Sequence, residues 1–437
     1  MRYNVDLHSH SGYAGGVGKI SLPGVAATMA KKGIDAFGVG DCLQPAWREK
    51  FADLLEEREA GLYALRGAAG DGRKARFVMQ TEVIFTSAVP SGGRKATHTV
   101  LLFPNLRAVD AAIALLLRWK VKLDMGRPFI KCADAGEVAE KCSGFMKIDP
   151  RTMVIPAHVM TPRGVFGSDH PVDRLSDVYG GFAREIAAVE TGLSADPALL
   201  ALLPELDGTA LISNSDCHSE ALARVGREFT ALEITRPTYE EIVLAIRERR
   251  ILLTAEFDPA EGRYFLSGHR AGLSGHGGIG CWFSPDRLPP GCLCPVCGKK
   301  LTIGVLDRVL HLSRVQTGGR PRILGETRPN QKAVTLVPLV EVLAAGLGVA
   351  STAGRRVNDL FETIIGETGT EAELWDLSPG EIEARFSPLL PERAVAALAE
   401  VRRGNFSFQP GYDGEYGGLR LGEKIAWFGQ AGIANGD

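Results

Sequence analysis

The chain has almost no charge excess. Its 437 residues carry 50 Lys and Arg against 52 Asp and Glu, a net charge of −2. Bulk charge therefore does not make it a polyanion binder, and any nucleic-acid surface must be a local patch. A secretory signature is also missing. Residues 1–6 hold no apolar h-region, so the expected location is the cytoplasm. Long hydrophobic runs are lacking too. The most apolar late stretch, 334–350, contains Pro338, Glu341 and two glycines, and reads as a strand and a buried helix. No membrane span is expected. Eight cysteines are too few for a disulfide scaffold at this length. Four of them, Cys281, Cys292, Cys294 and Cys297, crowd into one region, which suggests metal in a reducing compartment. There is no long repeat and no low-complexity segment. Gly38-Val39-Gly40 is a fragment of a glycine-rich loop without a dinucleotide fold around it. It is expected to let the backbone pass close to another group.

What is present is an ordinary globular composition, 45% hydrophobic and 23% charged. The length predicts two or three domains. From residue 1 to about 255, short apolar strands alternate with amphipathic helices. Strands are expected at 2–7, 35–40, 77–85, 97–103, 153–156, 186–190 and 210–213. Helices are expected at 22–32, 109–119, 195–202 and 239–249. Repeated β-α alternation predicts an α/β fold with a parallel sheet, here closed into a barrel. Chemistry in such barrels sits at the carboxyl ends of the strands.

Residues of metal-ligand type stand at those ends. His8 and His10 close the first strand and Asp41 the second. Glu82, His98 and His158 follow, and Asp216 and His218 complete the series. Alternate residues of a strand face the same side, so His8-x-His10 and Asp216-x-His218 can each grip one ion. Carboxylates bridge ions and neutral imidazoles fill the remaining positions. Such a site makes hydroxide at neutral pH and stabilises charge on a phosphoryl group. Cys42, beside Asp41, reads as a buried free thiol rather than a ligand.

Residues 256–335 differ. Glycine and proline become dense and periodicity is lost. Within 286–333, nine Lys or Arg oppose three Asp or Glu, leaving +6. Cys294-Pro295-Val296-Cys297-Gly298 is a zinc knuckle, two thiolates on a turn. Cys281 and then His276 are the expected upstream partners, with His269 and Cys292 as competitors. A closed four-ligand set makes this zinc structural. From 336 onward the chain is helical, at 352–365, 370–376, 379–385 and 391–402. The expected domains are thus 1–255, 256–335 and 336–437.

The order of motifs in residues 1–250 resembles the polymerase-and-histidinol-phosphatase (PHP) superfamily of metal-dependent phosphoesterases. The resemblance implies a distorted seven-stranded β/α barrel holding two or three ions of zinc, manganese or magnesium. It implies His8 and His10 as the opening pair, Glu82 as the bridging carboxylate, His98 and His158 as the middle histidines, and Asp216 and His218 as the closing pair. Asp41 is a further ligand. The chain departs from the pattern at Ser11-Gly12-Tyr13-Ala14, which lacks a third histidine, and at Cys42.

The barrel, the Cys-Pro-Val-Cys-Gly knuckle and the motifs 190–196, 38–47, 301–309 and 410–414 together resemble the endonuclease Q family of DNA-repair nucleases. The resemblance spans nearly the whole chain, with Gln44 as a departure. It implies hydrolysis of the phosphodiester 5′ of deaminated bases (uracil, hypoxanthine) or abasic sites in double-stranded DNA. Asp216, His218 and Glu82 are the expected catalytic residues. Tyr13, Trp47, Glu190, Lys299, Lys300 and Arg308 are the expected substrate contacts, Tyr13 or Trp47 by stacking. The basic patch would hold phosphates. A sliding clamp is a candidate further partner. The alternative function is a PHP-type phosphoesterase acting on a small phosphate monoester.

Overall fold

The fold is described from a computed structural model, over residues 1–67 and 75–435. It is a mixed α/β architecture around one large central sheet. The strand Arg2–Asp6 lies mid-sheet. It pairs in parallel with Ala36–Gly38 on one side and antiparallel with Phe229–Glu233 on the other. The helix Leu22–Lys32 joins the first two strands. Ser21 caps it by accepting the Gly24 amide, and Gly33 closes it in the left-handed conformation.

The sheet is not the uniformly parallel one expected. Its longest unit is a hairpin, Arg76–Ala88 against Arg94–Phe103, paired antiparallel through ten residues. Only residues 89–93 separate these strands. So short a connection permits antiparallel pairing, whereas a parallel pair needs a crossover. The ladder continues from Arg94–Phe103 to Met153–Pro156. Ala188–Glu190 and Ala210–Ile212 form a separate parallel pair. The two sheets meet where the Val159 amide donates to the Glu190 carbonyl at 3.0 Å.

Two apolar layers sandwich the site-bearing strands. One includes Val5, Leu7, Val78, Val100 and Ile155 beneath the helix Tyr239–Arg247. The other runs through Phe37, Phe77, Phe85, Phe103 and Phe145.

Residues 256–335 are more regular than expected. They contain the helix Val305–Gln316, whose inward face carries Val305, Leu306, Val309 and Leu312. A small sheet pairs Ser267–His269 with Ile279–Phe283, and the tail strand Ala431–Asn435 adds to it. The short strand Ala333–Thr335 returns to the edge of the central sheet beside Ile251–Glu256. The late helices are Leu339–Leu347, Arg355–Thr368, Glu371–Leu374, Pro379–Phe386 and Glu392–Arg402. The buried ion pair Lys32–Glu371, 2.7 Å, ties them to the first helix. Among the described residues, no helix is long and apolar enough to cross a membrane.

Candidate metal centre

The two period-two motifs are stitched together by backbone. Ser9 and Cys217 form a parallel bridge, and the His10 amide donates to the Cys217 carbonyl at 2.9 Å. This sets His8 and His10 on one face beside Asp216 and His218. Glu82 and His98 do not end strands as expected. They lie within the long hairpin, where Glu82 pairs with Val100 and His98 with Ile84. That makes them diagonal neighbours on one sheet face, within side-chain reach. His158 follows Met153–Pro156 by two residues. Asp41, His158 and Asp216 have φ of 50°, 28° and 45°, a region non-glycine residues seldom occupy. Such strain persists where the surroundings enforce it, and it collects at functional sites.

Three overlapping sets could each hold an ion: His8, His10 and Glu82; His10, Asp216 and His218; Glu82, His98 and His158. His10 Nε2 stands 3.1 Å from Asp216 Oδ1 and 3.7 Å from Glu82 Oε2. His8 Nε2 stands 3.6 Å from Asp216 Oδ1, and His158 Nε2 is 3.3 Å from Glu82 Oε1. The Nε2 atoms of His8, His10 and His98, with Glu82 Oε2 and Asp216 Oδ1, are buried without hydrogen-bond partners. Buried polar atoms are normally satisfied, so five such atoms spread over the three sets fit bound cations.

The outward nitrogens are fixed by other groups. His8 Nδ1 lies 3.0 Å from both Glu190 carboxylate oxygens. His10 Nδ1 is 3.2 Å from Asp41 Oδ1, and His158 Nδ1 is 2.6 Å from Thr161 Oγ1. His218 Nδ1 donates to the Asp216 carbonyl at 2.8 Å. Each contact holds the proton on Nδ1 and turns the Nε2 lone pair to the metal position.

The surrounding carboxylates favour positive charge at the Nε2 positions, which a proton or a cation can supply. Burial pushes the His8 imidazole down, but Glu190, Asp216 and Glu82 more than reverse this and lift it to about 9. His10 rises to about 10 in the same way, against burial, through Asp216 and Asp41. Burial raises Glu82 and Asp216, yet the histidines around them hold both well below the usual carboxylate range. The two carboxylates are thus ionised acceptors at neutral pH.

Several expected roles change. Asp41 joins none of the three sets. Its second oxygen accepts both the Ser11 amide and hydroxyl at 2.6 Å, so it orients His10 instead. Glu190 is fully buried and also accepts the His158 amide and Asn214 Nδ2, which leaves no face for substrate. Trp47 is buried, with its indole N–H on the Gly40 carbonyl at 2.9 Å and its ring against Phe51. Half-buried Tyr13 lies beyond it, 6.2 Å away between ring centroids. Gln44 caps the helix Pro45–Glu49 by accepting the Trp47 amide. Cys42 is fully buried, its thiol raised by burial. Gly40 is required where it stands, since a Cβ there would lie 2.7 Å from the His10 carbonyl carbon.

The second centre forms around the knuckle. One ligand atom from each of His269, His276, Cys294 and Cys297 lies within 4.8 Å of the others. His269 therefore takes the place expected for Cys281. The cause is register: His269 pairs with Cys281 across adjacent strands, and it is the histidine that faces Cys297, at 3.5 Å. Cys281 Sγ sits beside the set, 3.5 Å from Cys294 Sγ, with its thiol pushed by burial up to about 12. Cys292 is not a member. Burial raises Cys294, but the amides of Cys297 and Val296 outweigh it and hold the thiol below its ordinary value.

The basic patch is thinner than its composition suggests. Lys299 and Lys300 are exposed. Arg308 is not a surface contact. It is buried and donates to the Phe166 and Val172 carbonyls and to Asp173. Arg322 is paired with Asp207 at 2.6 Å. Asn214, Thr161 and Ser11 support the site without any signal of ligand type in their sequence.

Comparison with known proteins agrees with this geometry. The lesion-specific endonuclease PfuEndoQ of Pyrococcus furiosus superposes with a TM-score of 0.76, at 27% identity over 96% of each chain. An endonuclease Q in complex with a 27-mer duplex bearing an abasic lesion at its active site superposes at 0.77, at 27% identity, covering 96% of this chain and 97% of that one. The chain resembles endonuclease Q from end to end. The endonuclease Q likeness thus takes in both centres and the late helices. The uncharacterized protein YqxK of Bacillus subtilis is 25% identical over 95% of this chain and 98% of its own length. An uncharacterized protein of Methanocaldococcus jannaschii is 30% identical over 257 residues, 57% of this chain. The match spans only 30% of that protein's length. No protein-family model matches the chain.

Proposed function

We propose that the chain is a metal-dependent DNA-repair endonuclease. It hydrolyses the phosphodiester 5′ of a damaged base, either a deaminated base or an abasic site. One observation carries this reading: the three overlapping ligand sets, with their five unpartnered buried atoms, lie inside a whole-length likeness to endonuclease Q. A relative holding an abasic duplex at its active site supports the substrate class. We read 1–255 as the distorted PHP-type barrel, 256–335 as a zinc module and 336–437 as a helical domain. The four-residue set at the knuckle suits one structural zinc.

His8, His10, Glu82, His98, His158, Asp216 and His218 hold the catalytic ions in this reading. Bound divalent ions would supply Lewis acidity toward water and toward the phosphoryl oxygens. The protein's contribution is placement. Asp216 and His218 form the open side of the cluster, with side chains 25% and 34% exposed. His8 and Glu82 are closed off, at 0% and 1%. Water and phosphate therefore enter past Asp216, whose ionised carboxylate orients the water. To read a base in a duplex, the enzyme must extrude it at a cost of about a few kcal/mol, which is least where the pairing is already lost. Tyr13, half-buried beside the site, is the aromatic available for stacking.

The test is a nicking assay on labelled duplexes with one uracil, hypoxanthine or abasic site, in manganese, magnesium or zinc. A single cut 5′ of the lesion is expected. Intact DNA in every metal, with hydrolysis of a chromogenic phosphate monoester, would overturn the reading in favour of a small-molecule phosphoesterase.

A further inference from the structure

Beside the metal cluster, a groove of about 420 Å³ runs along residues 119–131 and one face of the helix Ala135–Met146. Five basic side chains line it against two acidic ones. One of each, Lys141 and Glu137, stand 3.5 Å apart. Lys120, Lys122 and Lys131 are exposed, and none of their ammonium groups has an ion-pair or hydrogen-bond partner among the described residues. Phe129 lines the same groove and is 52% exposed.

The inner end of this groove is pinned to the cluster. The Gly126 amide donates to the Tyr13 carbonyl at 2.8 Å. A Cβ on Gly126 would lie 2.5 Å from the Asp41 carboxyl carbon, so only glycine permits this approach. The next residue, Arg127, donates through Nη2 to the Ala14 carbonyl at 3.1 Å. Its Nη1 stands 3.9 Å from Glu82 Oε2, too far for a hydrogen bond. A guanidinium has five N–H donors. Among the described residues, a single one finds a protein acceptor within reach. One arm of the fork, Nη2, is held by the Ala14 carbonyl, and the other, Nη1, is turned toward Glu82. A half-buried guanidinium with free donors matches the bidentate geometry of a phosphate.

We infer that Arg127 grips the phosphodiester at the metal cluster, and that Lys120, Lys122 and Lys131 carry the backbone of the nicked strand outward along this groove. The inference rests on the endonuclease reading and deepens it. It names which side of the cluster the strand leaves by. The exposed Phe129 ring offers a surface on which an unpaired base stacks.

Three full-length variants test it beside the wild type. Binding is measured against salt on a lesion duplex with an uncleavable phosphonate 5′ of the lesion. The triple variant Lys120→Ala, Lys122→Ala and Lys131→Ala should flatten the slope of log K against log salt by about three, one per lost phosphate contact. Arg127→Ala should slow single-turnover nicking by about 100-fold, with metal content unchanged. Arg127→Lys should restore part of that rate, and added guanidinium part of the alanine variant's. An unchanged slope, or an unchanged Arg127→Ala rate, overturns the groove while wild-type nicking leaves the endonuclease reading standing. A wild type that nicks no lesion overturns both.

Discussion

Glu82 and Asp216 are carboxyls enclosed by imidazoles, Glu228 and Glu256 are fully buried ones, and their surroundings push the two pairs in opposite directions. Burial raises all four. Around Glu82 and Asp216 the imidazoles of His8, His10, His98, His158 and His218 overcome that rise. At Glu228 the nearest strong influence is Glu256 itself, and like charge adds to burial. Arg227, the adjacent cation, spends its guanidinium on the Ser215 carbonyl. Burial raises the Glu256 carboxyl to about 8, against the hydroxyls of Thr254, Ser213 and Thr191. Burial beside like charge thus favours a neutral acid. A ring of imidazoles makes an ionised one that can serve a cation.

The strongest way to break this contrast is to give the metal site the neutrality that Glu256 already has. Glu82→Gln keeps the shape and removes the charge shared by two ligand sets. Nicking should fall by at least about 1,000-fold, with loss of bound barrel metal by elemental analysis. The knuckle metal should stay. Full metal content in this variant would show that Glu82 is not the shared ligand.

A milder change sharpens the contrast from behind the ligands. Glu190→Gln leaves every proposed ligand in place but weakens the acceptor that orients His8 and the His158 amide. Metal affinity should drop by about 10–100-fold, and excess metal should recover most of the nicking rate. Titration of the apoprotein reads this directly. Wild-type affinity would return Glu190 to a merely structural place.

Which of these groups could be read from sequence follows from what a one-dimensional pattern records. The His8-x-His10 and Asp216-x-His218 pairs were legible from their period-two spacing, although both lie beyond their strands and are set side by side by the Ser9–Cys217 bridge. Ser21 and Gly33 bounded the first helix as capping chemistry predicts. Glu82 and His98 were recognisable as ligand types. Their place within a long hairpin was not, since cross-strand register is set by tertiary pairing. Asp41 has the right chemistry in the right loop, and sequence does not tell a ligand from the group that orients one. His269 and Cys281 were inseparable by spacing because a strand pairing sets them opposite each other. Arg308 was misread by counting charge. It lies on the same helical face as Val305 and Leu312 and points inward. Arg127 gave no signal at all, because its loop reaches the cluster only through the fold.

The smallest expected effect is on stability, and it concerns the neutral side of the contrast. A carboxyl whose folded pKa is raised contributes its full stability below the unfolded value, near 4.5. It loses that contribution as pH climbs toward the folded value, here about 8. Over that window the unfolded chain releases a proton that the folded chain keeps. The wild type should therefore weaken from about pH 5 to 8 through Glu256, by an amount on the order of a few kcal/mol at most. Glu256→Gln keeps an acceptor for Thr191 and Ser213 and cannot ionise, so its stability curve should be flatter across the same window. The two proteins should be nearly equal at pH 5, and the variant more stable at pH 8, by urea unfolding. Parallel curves would mean that Glu256 is ionised in the folded protein. The opposition between the two carboxyl pairs would then rest on Glu228 alone.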